Sequence, residues 1–435
     1  MTGTEEILWV QARKLRPGIY IELDLGWLAH PFLSSRFRIA SQKQIDTIIG
    51  LKQEHVRCLR SLSDAQAWQS MLDSLSPVVA GNSPVVTEEK PSQEGGIASP
   101  PAIDEKLRAL VAQNTSLQYC QQRFDETAKA YTQVFASVLH APDVASGICR
   151  QTIDTLTEEL NQTGDFSIRL LREMPSERAA MHPVNVTVLA MLLGRSLGLK
   201  GAALVSLGMA AFLHDIGKAQ IADRLHNFDD GFSSAEYRAY QSHVELGVSM
   251  AERMGLGEAV AQGIAQHHEM IDGSGFPRHL QQGELTLQGR ILALVNRYDR
   301  LCNPGKSGVQ GLTPHEALST IFAQFKHRFD PMVLSSFIRM MGVYPPGSVV
   351  QLIDDRFALV HAVNSSRPLK PRVVVHDPHT PAEEALIVDL EVMPHLGIRR
   401  SVKPAALPAH AQAYLAPQAK TSYFFESHTR TAAVA

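Results

Sequence analysis

The sequence predicts a mainly α-helical protein, with a small mixed α/β domain in front of the helices and a small β extension behind them. Apolar residues recur three and four positions apart through most of residues 104–345, as they do on the buried face of a helix. Segments in which apolar and polar residues partly alternate precede this region, and runs of β-branched residues follow it. With 435 residues, the chain is long enough for two or three domains and a sizeable core.

Residues 1–75 are predicted to form the front domain. The segment "IYIELDLGWL" alternates in part, and "QIDTIIGLKQEHVRCL" has helical spacing followed by a short apolar end. Residues 76–103 are rich in Pro, Gly, Ser and Glu without a sustained period, and we expect a flexible linker there. Since no candidate catalytic or metal-binding residue precedes residue 104, we expect the front domain to be regulatory.

The helical region and the segments behind it follow the linker. Segments such as "VNVTVLAMLLGRSLGL" and "HEALSTIFAQFKHRF" have helical spacing, and Thr313 is the expected N-cap of a helix that begins at Pro314. In residues 346–400, "SVVQLIDDRFALVHAVN" and "KPRVVVHD" are β-branched runs broken by Asp, Asn and Pro, which predict a small sheet. Residues 401–435 are rich in Ala and Pro, and we expect a disordered tail.

Composition excludes several classes of protein. The chain is 44% hydrophobic and 20% charged with a net charge of -3, so we expect binding neither to nucleic acid polymers nor to anionic membranes. Its four cysteines form no C-x-x-C pair, which predicts reduced thiols in a cytosol. The first residues do not resemble a signal peptide, and no uncharged apolar run reaches about 18 residues. We therefore expect a cytoplasmic protein without membrane insertion; the oligomeric state stays open.

The segment "AAFLHDIGKAQI" ends an apolar helix with His214 and Asp215, and Lys218 follows on the same helix face. Such groups are costly to bury without partners. One interpretation is a helix end closed by a salt bridge. The other is a divalent metal held by the imidazole and the carboxylate, with Asp215 bridging two metals and the ammonium facing the anion that they attract.

Four further histidines favour the metal interpretation. His182, His243, His267 and His268 also lie on apolar helical patterns, where any one alone is more often structural. Together they suggest an imidazole-rich site for iron, manganese, zinc or nickel rather than magnesium. Two metals about 3.5–4 Å apart clamp the attacking and leaving oxygens in phosphoryl transfer. Because adjacent helical residues point about 100° apart, His267 and His268 are predicted to serve different metals.

The motifs "HDIGK" and "HHEMIDGSGFP" together resemble the HD-GYP family of bacterial cyclic di-GMP phosphodiesterases, a branch of the HD metal-dependent phosphohydrolases. Its pattern H-D-x-G-K followed by H-H-E-x-x-D-G-x-G-Y-P is met throughout, except that Phe276 replaces the tyrosine. The resemblance runs from about His182 to Phe337. The segment "LRPGIYIELDLGWLAHPFL" is similar to a domain of unassigned function often found ahead of HD-GYP, and residues 346 to about 376 resemble a β extension seen in some members.

The resemblance implies an HD-domain helical bundle that hydrolyses cyclic di-GMP, or a related cyclic dinucleotide, to pGpG or GMP. It implies two divalent metal ions as cofactors, Fe or Mn, and a GGDEF-domain protein as a partner. Lys218 would contact the scissile phosphate or the bridging hydroxide and act in catalysis with Asp215. The implied metal ligands are His182, His214, Asp215, His243, His267, His268 and, at the last ligand position, Asn296. The implied motif loop, with Phe276 also binding substrate, comprises Asp272, Gly273, Gly275, Phe276 and Pro277.

Three departures from the family pattern qualify this expectation. Asn296 stands where the family has an aspartate, so the second metal would be held less tightly, unless Asp299 one turn on is the ligand. Arg178 replaces the glutamate of members that bind a third metal, which favours two metals. "CNPGKSG" replaces the family's phosphate-gripping segment, leaving Lys306 as the candidate substitute. Two alternatives follow: a degenerate module that binds nucleotide or a GGDEF partner without turnover, and an HD hydrolase acting on a different nucleotide.

Overall fold

The computed structural model describes residues 7–23, 36–51, 55–75, 101–161, 166–171, 178–306, 308–364, 369–393 and 396–427. The chain divides into two compact units. One comprises Met1–Arg108 with Pro378–Pro381, and the other comprises Ala109–Asp377 with Ala382–Ala435. The linker predicted at residues 76–103 lies outside the described residues as far as residue 100, and a helix begins at Pro101.

The front unit contains a four-stranded antiparallel sheet in the order β1-β4-β2-β3. Its elements are β1 (Ile7–Gln11), β2 (Tyr20–Glu22), β3 (Arg36–Arg38), α1 (Gln42–Gly50), β4 (His55–Leu59) and α2 (Ala65–Leu75). Alternate residues of β4, Val56 and Cys58, are buried, as are Ile45 and Ile48 of α1, three positions apart. These two periods bury one face of the sheet and one face of the helix together, which confirms the predicted mixed α/β domain.

The second unit is mainly helical, as predicted. Its helices up to residue 341 are α3 (Pro101–Ser137), α4 (Pro142–Asn161), α5 (Arg178–Ser196), α6 (Gly201–Leu213), α7 (Ser234–Gln241), α8 (His243–Arg253), α9 (Glu258–Gln266), α10 (Leu287–Cys302), α11 (Pro314–Thr320) and α12 (Pro331–Met341). Helices α5, α6, α9 and α10 pack against one another around one apolar core. The predicted start of α11 is confirmed, because the Thr313 side chain accepts a hydrogen bond from the Glu316 amide.

The second unit also contains a seven-stranded antiparallel sheet. Its central path runs β10-β6-β7-β5-β11, with β8 on β7 and β9 on β8. The strands are β5 (Phe166–Leu171), β6 (Val349–Leu352), β7 (Phe357–Asn364), β8 (Arg372–Val375), β9 (Ile387–Asp389), β10 (Ile398–Ser401) and β11 (Ser422–Ser427). The sheet therefore contains more of the chain than the β extension predicted for residues 346–400. One added strand, β5, comes from the region predicted to be helical.

The prediction of a disordered tail from residue 401 is wrong as far as residue 427. Helix α13 (Ala409–Leu415) and strand β11 are both formed, and β11 pairs along its whole length with β5. The side chains of Tyr423, Phe424 and Phe425 are buried. Burial of these three aromatic side chains provides the apolar area that orders the segment. The prediction of disorder was based on the Ala- and Pro-rich composition of the whole segment and did not weigh this short run.

One segment within the described residues, Gly201–Gln220, is long and apolar enough to span a membrane. Its most apolar window is 72% buried inside the protein, so its apolar surface is covered by neighbouring helices, as in the core of a globular domain. The four cysteines are buried and unpaired, in agreement with the prediction of free thiols.

Candidate metal centre

The candidate ligands converge because several helices end at one place in the core. Each lies at or next to a helix: His182 in α5, His214 and Asp215 directly after α6, His243 at the start of α8, His267 and His268 directly after α9, and Asn296 in α10. Residues that are far apart in sequence thus share one small volume beneath the ends of α6 and α9.

The Asp215 carboxylate lies between two pairs of imidazoles. Its Oδ2 is 3.5 Å from Nε2 of His214 and 3.7 Å from Nε2 of His182. Its Oδ1 is 3.5 Å from Nε2 of His243 and 3.9 Å from Nε2 of His267. Donor atoms about 3.4 Å apart are what three ligands around one ion at about 2.1 Å would require. Each carboxylate oxygen therefore completes a separate group of three donors.

The hydrogen bonds of the rings show which nitrogen of each imidazole is free. Nδ1 of His214, His243 and His267 each meets the backbone carbonyl three residues earlier. A carbonyl only accepts, so each Nδ1 carries the hydrogen and each Nε2 presents a lone pair. Nε2 of His214 lies 3.1 Å from Nε2 of His182, and Nε2 of His243 lies 3.3 Å from that of His267. Lone pairs facing each other this closely repel unless a cation lies between them, so the donor set fits a metal pair.

The protonation states of the histidines also suit metal binding. Burial lowers the pKa of His214, His243 and His267 to about 3. Burial likewise holds the pKa of His182 and His268 well below the usual value. All five rings are therefore neutral at pH 7, so no proton has to leave before a metal binds.

Asp215 remains charged because two cations contact it, the buried Lys218 and the partly buried Arg300. Burial alone would raise the pKa of this carboxyl, but Lys218, His214 and Arg300 hold it well below its usual value. Lys218 Nζ and Arg300 Nη2 each lie 2.7 Å from Asp215 Oδ2. Burial lowers the pKa of the Lys218 ammonium to about 8, although Asp215 opposes the shift. Sequence reasoning missed Arg300, which lies four residues after Asn296 and so on the same face of α10.

Among the buried polar atoms that lack a hydrogen-bond partner in the described residues, two belong to candidate ligands. They are His268 Nε2 and Asn296 Oδ1. His268 groups with Asp215, His243 and His267, with one ligand atom from each within 4.8 Å of the others. The prediction that His267 and His268 serve different metals is therefore wrong. Helix α9 ends at Gln266, so the helical angle between neighbours does not apply, and the two rings lie 4.1 Å apart.

Asp299, the alternative to Asn296 as last ligand, supports a histidine from behind. Its Oδ2 lies 2.6 Å from Nδ1 of His182, and its Oδ1 accepts hydrogen bonds from Asn185 and Asn303, both at 2.9 Å. Burial raises the pKa of this carboxyl to about 6, although the Asn303 and Asn185 hydrogen bonds oppose the shift. Both oxygens are thus engaged outside the donor groups, which favours Asn296 as the ligand.

The glycine of "HDIGK" allows two candidate ligands to approach each other. A Cβ atom at Gly217 would lie 1.9 Å from the backbone oxygen of His243. Helix α6 ends at Leu213, and a 3₁₀ turn, Ile216–Gln220, carries Lys218. His214, Asp215 and Lys218 therefore lie in a tight turn and not on one face of a continuous helix, as the sequence had predicted. The Lys218 side chain still contacts Asp215. Any larger residue at position 217 would push this turn away from α8.

The motif loop packs against the double histidine. A Cβ atom at Gly275 would lie 2.4 Å from Cα of Glu269. The buried Glu269 carboxylate accepts hydrogen bonds from the amides of Arg278 and Leu280, at 2.6 and 3.0 Å. The Phe276 ring stacks on His268 with 4.4 Å between centroids, and the peptide bond to Pro277 is cis. Glu269, which sequence reasoning passed over, thus closes the loop that holds Phe276 against a candidate ligand.

The remaining motif-loop residues form the turn itself. The Asp272 carboxylate accepts hydrogen bonds from the amide and the hydroxyl of Ser274, at 3.0 and 2.6 Å. Gly273 has a φ of 77°, a value that glycine adopts without strain. Asp272 lies outside both donor groups, so its place in the pattern reflects the shape of the loop.

Comparison with known proteins agrees with this geometry. Residues 155–333 match the HD domain family, and residues 9–147 match a domain of unknown function (DUF3391). A cyclic di-GMP phosphodiesterase of Pseudomonas aeruginosa is 25% identical over 84% of this chain and 84% of its own length. Residues 155–333 therefore form an HD domain, in agreement with the resemblance of their motifs to the HD-GYP branch.

Further relatives match a smaller part of the chain. A 3′3′-cGAMP-specific phosphodiesterase of Vibrio cholerae is 31% identical over 29% of this chain and 27% of its own length. A cyclic di-GMP phosphodiesterase of Borreliella burgdorferi is 22% identical over 44% of this chain, which spans 51% of that protein. Among solved structures, the HDG"Y"P protein of Bdellovibrio bacteriovorus is 14% identical over 76% of this chain and 98% of its own, with a TM-score of 0.35.

A cavity of about 550 Å³ borders the candidate metal centre. His267, His268, Phe276, Asn296 and Arg300 line it. Its size is in the range of small-molecule sites. Through this cavity a ligand can reach two histidines of one donor group and the candidate ligand Asn296.

Lys306 lies at the rim of the same cavity. Its Nζ is 2.6 Å from Asp229 Oδ2, and 53% of its side chain is exposed. Because a carboxylate already neutralises its charge, Lys306 is poorly suited to replace the family's phosphate-gripping segment.

Proposed function

We propose that this protein is a metal-dependent phosphodiesterase that hydrolyses cyclic di-GMP to pGpG or GMP. The observation that carries the proposal is the pair of donor groups sharing Asp215, with His267, His268 and Asn296 lining an adjacent open cavity. Two adjacent metals suit hydrolysis of a phosphodiester because they act on both the attacking and the leaving oxygen. Relatives named as phosphodiesterases of cyclic dinucleotides support this substrate class.

The ligand set proposed is His182, His214, Asp215 and Asn296 for one ion, and Asp215, His243, His267 and His268 for the other. When bound, divalent Fe or Mn would supply Lewis acidity and a nucleophile from water at neutral pH. Neutral nitrogens dominate both sets, and Asp215 is the single carboxylate within them. Imidazole ligands suit these metals better than they suit magnesium.

Lys218 and Arg300 are proposed to act on the substrate. Both cations lie beside the carboxylate that the two ions would share. A phosphodiester approaching through the cavity would bring its negative oxygens to them, and fixed cations stabilise the charge that develops in phosphoryl transfer. Phe276, stacked on His268, would border the bound nucleotide.

A second phosphate would meet two arginines on the cavity wall. The guanidinium groups of Arg297 and Arg328 each lie 5.2 Å from the centre of the Phe325 ring, and both line the cavity. Within the described part of the chain, Arg297 makes neither a hydrogen bond nor an ion pair. Arg328 lies no closer than 4.0 Å to Asp272. Two neighbouring cations with so little counter-charge favour an anion between them.

The degenerate-module alternative rests on Asn296 and is tested by restoring the aspartate. Metal-free protein would be loaded with Fe²⁺ or Mn²⁺ under anaerobic conditions, and cyclic di-GMP hydrolysis followed by chromatography beside Asn296→Asp. We expect the wild type to turn over and the variant to hold its ions more tightly, because its carboxylate offsets the charge of the metal pair. Metal should also raise the melting temperature more in the variant, since its added buried charge is costly without a cation. Full metal occupancy without turnover in both proteins would favour the binding module.

Replacing Arg297 by alanine should weaken cyclic di-GMP binding without affecting the chemistry on a small diester. We expect KM for cyclic di-GMP to rise about 10-fold to 100-fold, as for the loss of a charge-assisted contact. Hydrolysis of bis(p-nitrophenyl) phosphate, which has no second phosphate, should change little. Arg339→Ala, an exposed arginine on α12, is the matched control. Equal losses on both substrates would contradict the proposed role of Arg297.

A further inference from the structure

The support behind His182 continues beyond Asp299 into the last strand of the sheet. Asn185 Nδ2 donates to Asp299 Oδ1 and to the Thr421 carbonyl, both at 2.9 Å. Asn303 Nδ2 makes the same two contacts, also at 2.9 Å. Two asparagines from different helices thus hold one carboxylate and one backbone carbonyl together.

The backbone at the start of β11 also donates to both asparagines. The Thr421 amide donates to Asn303 Oδ1 at 2.9 Å, and the Tyr423 amide donates to Asn185 Oδ1 at 3.0 Å. All of these residues are buried, with at most 5% exposure. Because a backbone amide can only donate, it determines which end of each asparagine faces it. The amino groups must then point at Asp299.

This orientation has a consequence for His182. With two donors on Oδ1, the Asp299 carboxylate presents Oδ2 to Nδ1 of the imidazole, 2.6 Å away. Nδ1 then carries the hydrogen, and Nε2 faces His214 and Asp215. Without β11, either asparagine could turn its carbonyl oxygen toward Asp299 and repel it. Outer partners of this kind orient metal ligands and tune their basicity.

We propose that the segment Thr421–Tyr423 is a positioning part of the metal centre, acting through Asn185, Asn303 and Asp299 on His182. The segment lies outside residues 155–333, which match the HD domain family. It is held in place by the pairing of β11 with β5. An HD domain cut at its family boundary would therefore lack a component of its own metal site. The inference rests on the two-metal centre proposed above and is independent of the substrate.

The test is Mn²⁺ titration of the metal-free full-length protein, with free Mn²⁺ measured by electron paramagnetic resonance. Asn303→Asp keeps the oxygen that accepts from the Thr421 amide but removes the donor to Asp299. Asn185→Leu removes both the donor to Asp299 and the oxygen that accepts from the Tyr423 amide. Each variant should bind Mn²⁺ at the His182 side about 10-fold to 100-fold more weakly, so that bound Mn²⁺ falls from about two ions per chain to about one. Tyr423→Phe is the control, because it removes the hydroxyl that contacts Tyr298 but keeps the backbone amide that donates to Asn185.

Wild-type stoichiometry and affinity in both asparagine variants would overturn the proposal. It would also be overturned if Tyr423→Phe lost Mn²⁺ to the same extent, since the effect would then follow general packing of β11. Melting temperatures of the metal-free proteins identify a variant that fails to fold, and Asn303→Asp is the conservative member of the pair. If the wild type binds a single ion, the two-metal proposal fails. The contrast between Asn303→Asp and Tyr423→Phe still tests positioning on that ion.

Discussion

Replacing Asp215 by asparagine is expected to remove both metal ions, because its carboxylate belongs to both donor groups. Replacing His214 by alanine should remove chiefly the ion on the His182 side. Cyclic di-GMP hydrolysis should fall to background in both variants, since both ions take part in the proposed reaction. Metal content per chain, measured by inductively coupled plasma mass spectrometry, checks the first expectation directly.

The asparagine variant is preferred to Asp215→Ala for a physical reason. Alanine would leave the buried Lys218 and the partly buried Arg300 without their shared anion, and breaking a buried ion pair costs about 3–5 kcal/mol. Asparagine keeps the shape and an oxygen for hydrogen bonding. Asp272→Asn is the matched control, because Asp272 lies in the motif loop but outside both donor groups. Undiminished metal content in Asp215→Asn would refute the proposed assignment of the centre.

Replacing Lys218 by methionine is expected to separate metal binding from catalysis. The ammonium contacts Asp215 but belongs to neither donor group, so both ions should stay bound. We expect kcat to fall about 10²-fold to 10³-fold, the usual effect of removing one charged or hydrogen-bonding group from a stabilised anion. Metal content and kcat are measured on the same preparation of the variant.

Lys200→Met is the control for this experiment. Lys200 is the residue before α6, at the opposite end of that helix from the metal centre, and its side chain is not buried. Its rate should match that of the wild type. A loss of metal in Lys218→Met as large as in Asp215→Asn would instead assign Lys218 a structural role in holding the carboxylate.

The sequence by itself was sufficient for the helical class, the front domain and the candidate ligands. Helix capping depends on a few neighbouring residues, so Thr313 and Pro314 predicted the start of α11 without knowledge of the surrounding fold. In the motifs "HDIGK" and "HHEMIDGSGFP", two glycines meet a steric requirement of the fold. Gly217 and Gly275 illustrate this, since a Cβ atom at either would overlap backbone atoms of a ligand-bearing segment.

Only the tertiary structure decided how these residues are combined. The order along the chain does not say that His182 faces His214, or that His267 and His268 join the same group, because both depend on where α6 and α9 end. Asp299 and Asn296 are equally plausible ligands on one helix until the partners of each side chain are known.

Strand β11 is the clearest case of a contact that the sequence could not predict. Thr421 lies 118 residues from Asn303 in a segment whose composition predicts disorder. Its backbone nevertheless forms hydrogen bonds with the asparagines that hold Asp299 against His182. Backbone amides and carbonyls are the same in every residue, so no residue type marks such a contact. It arises only when β5 and β11 pair and bring that backbone to the metal centre.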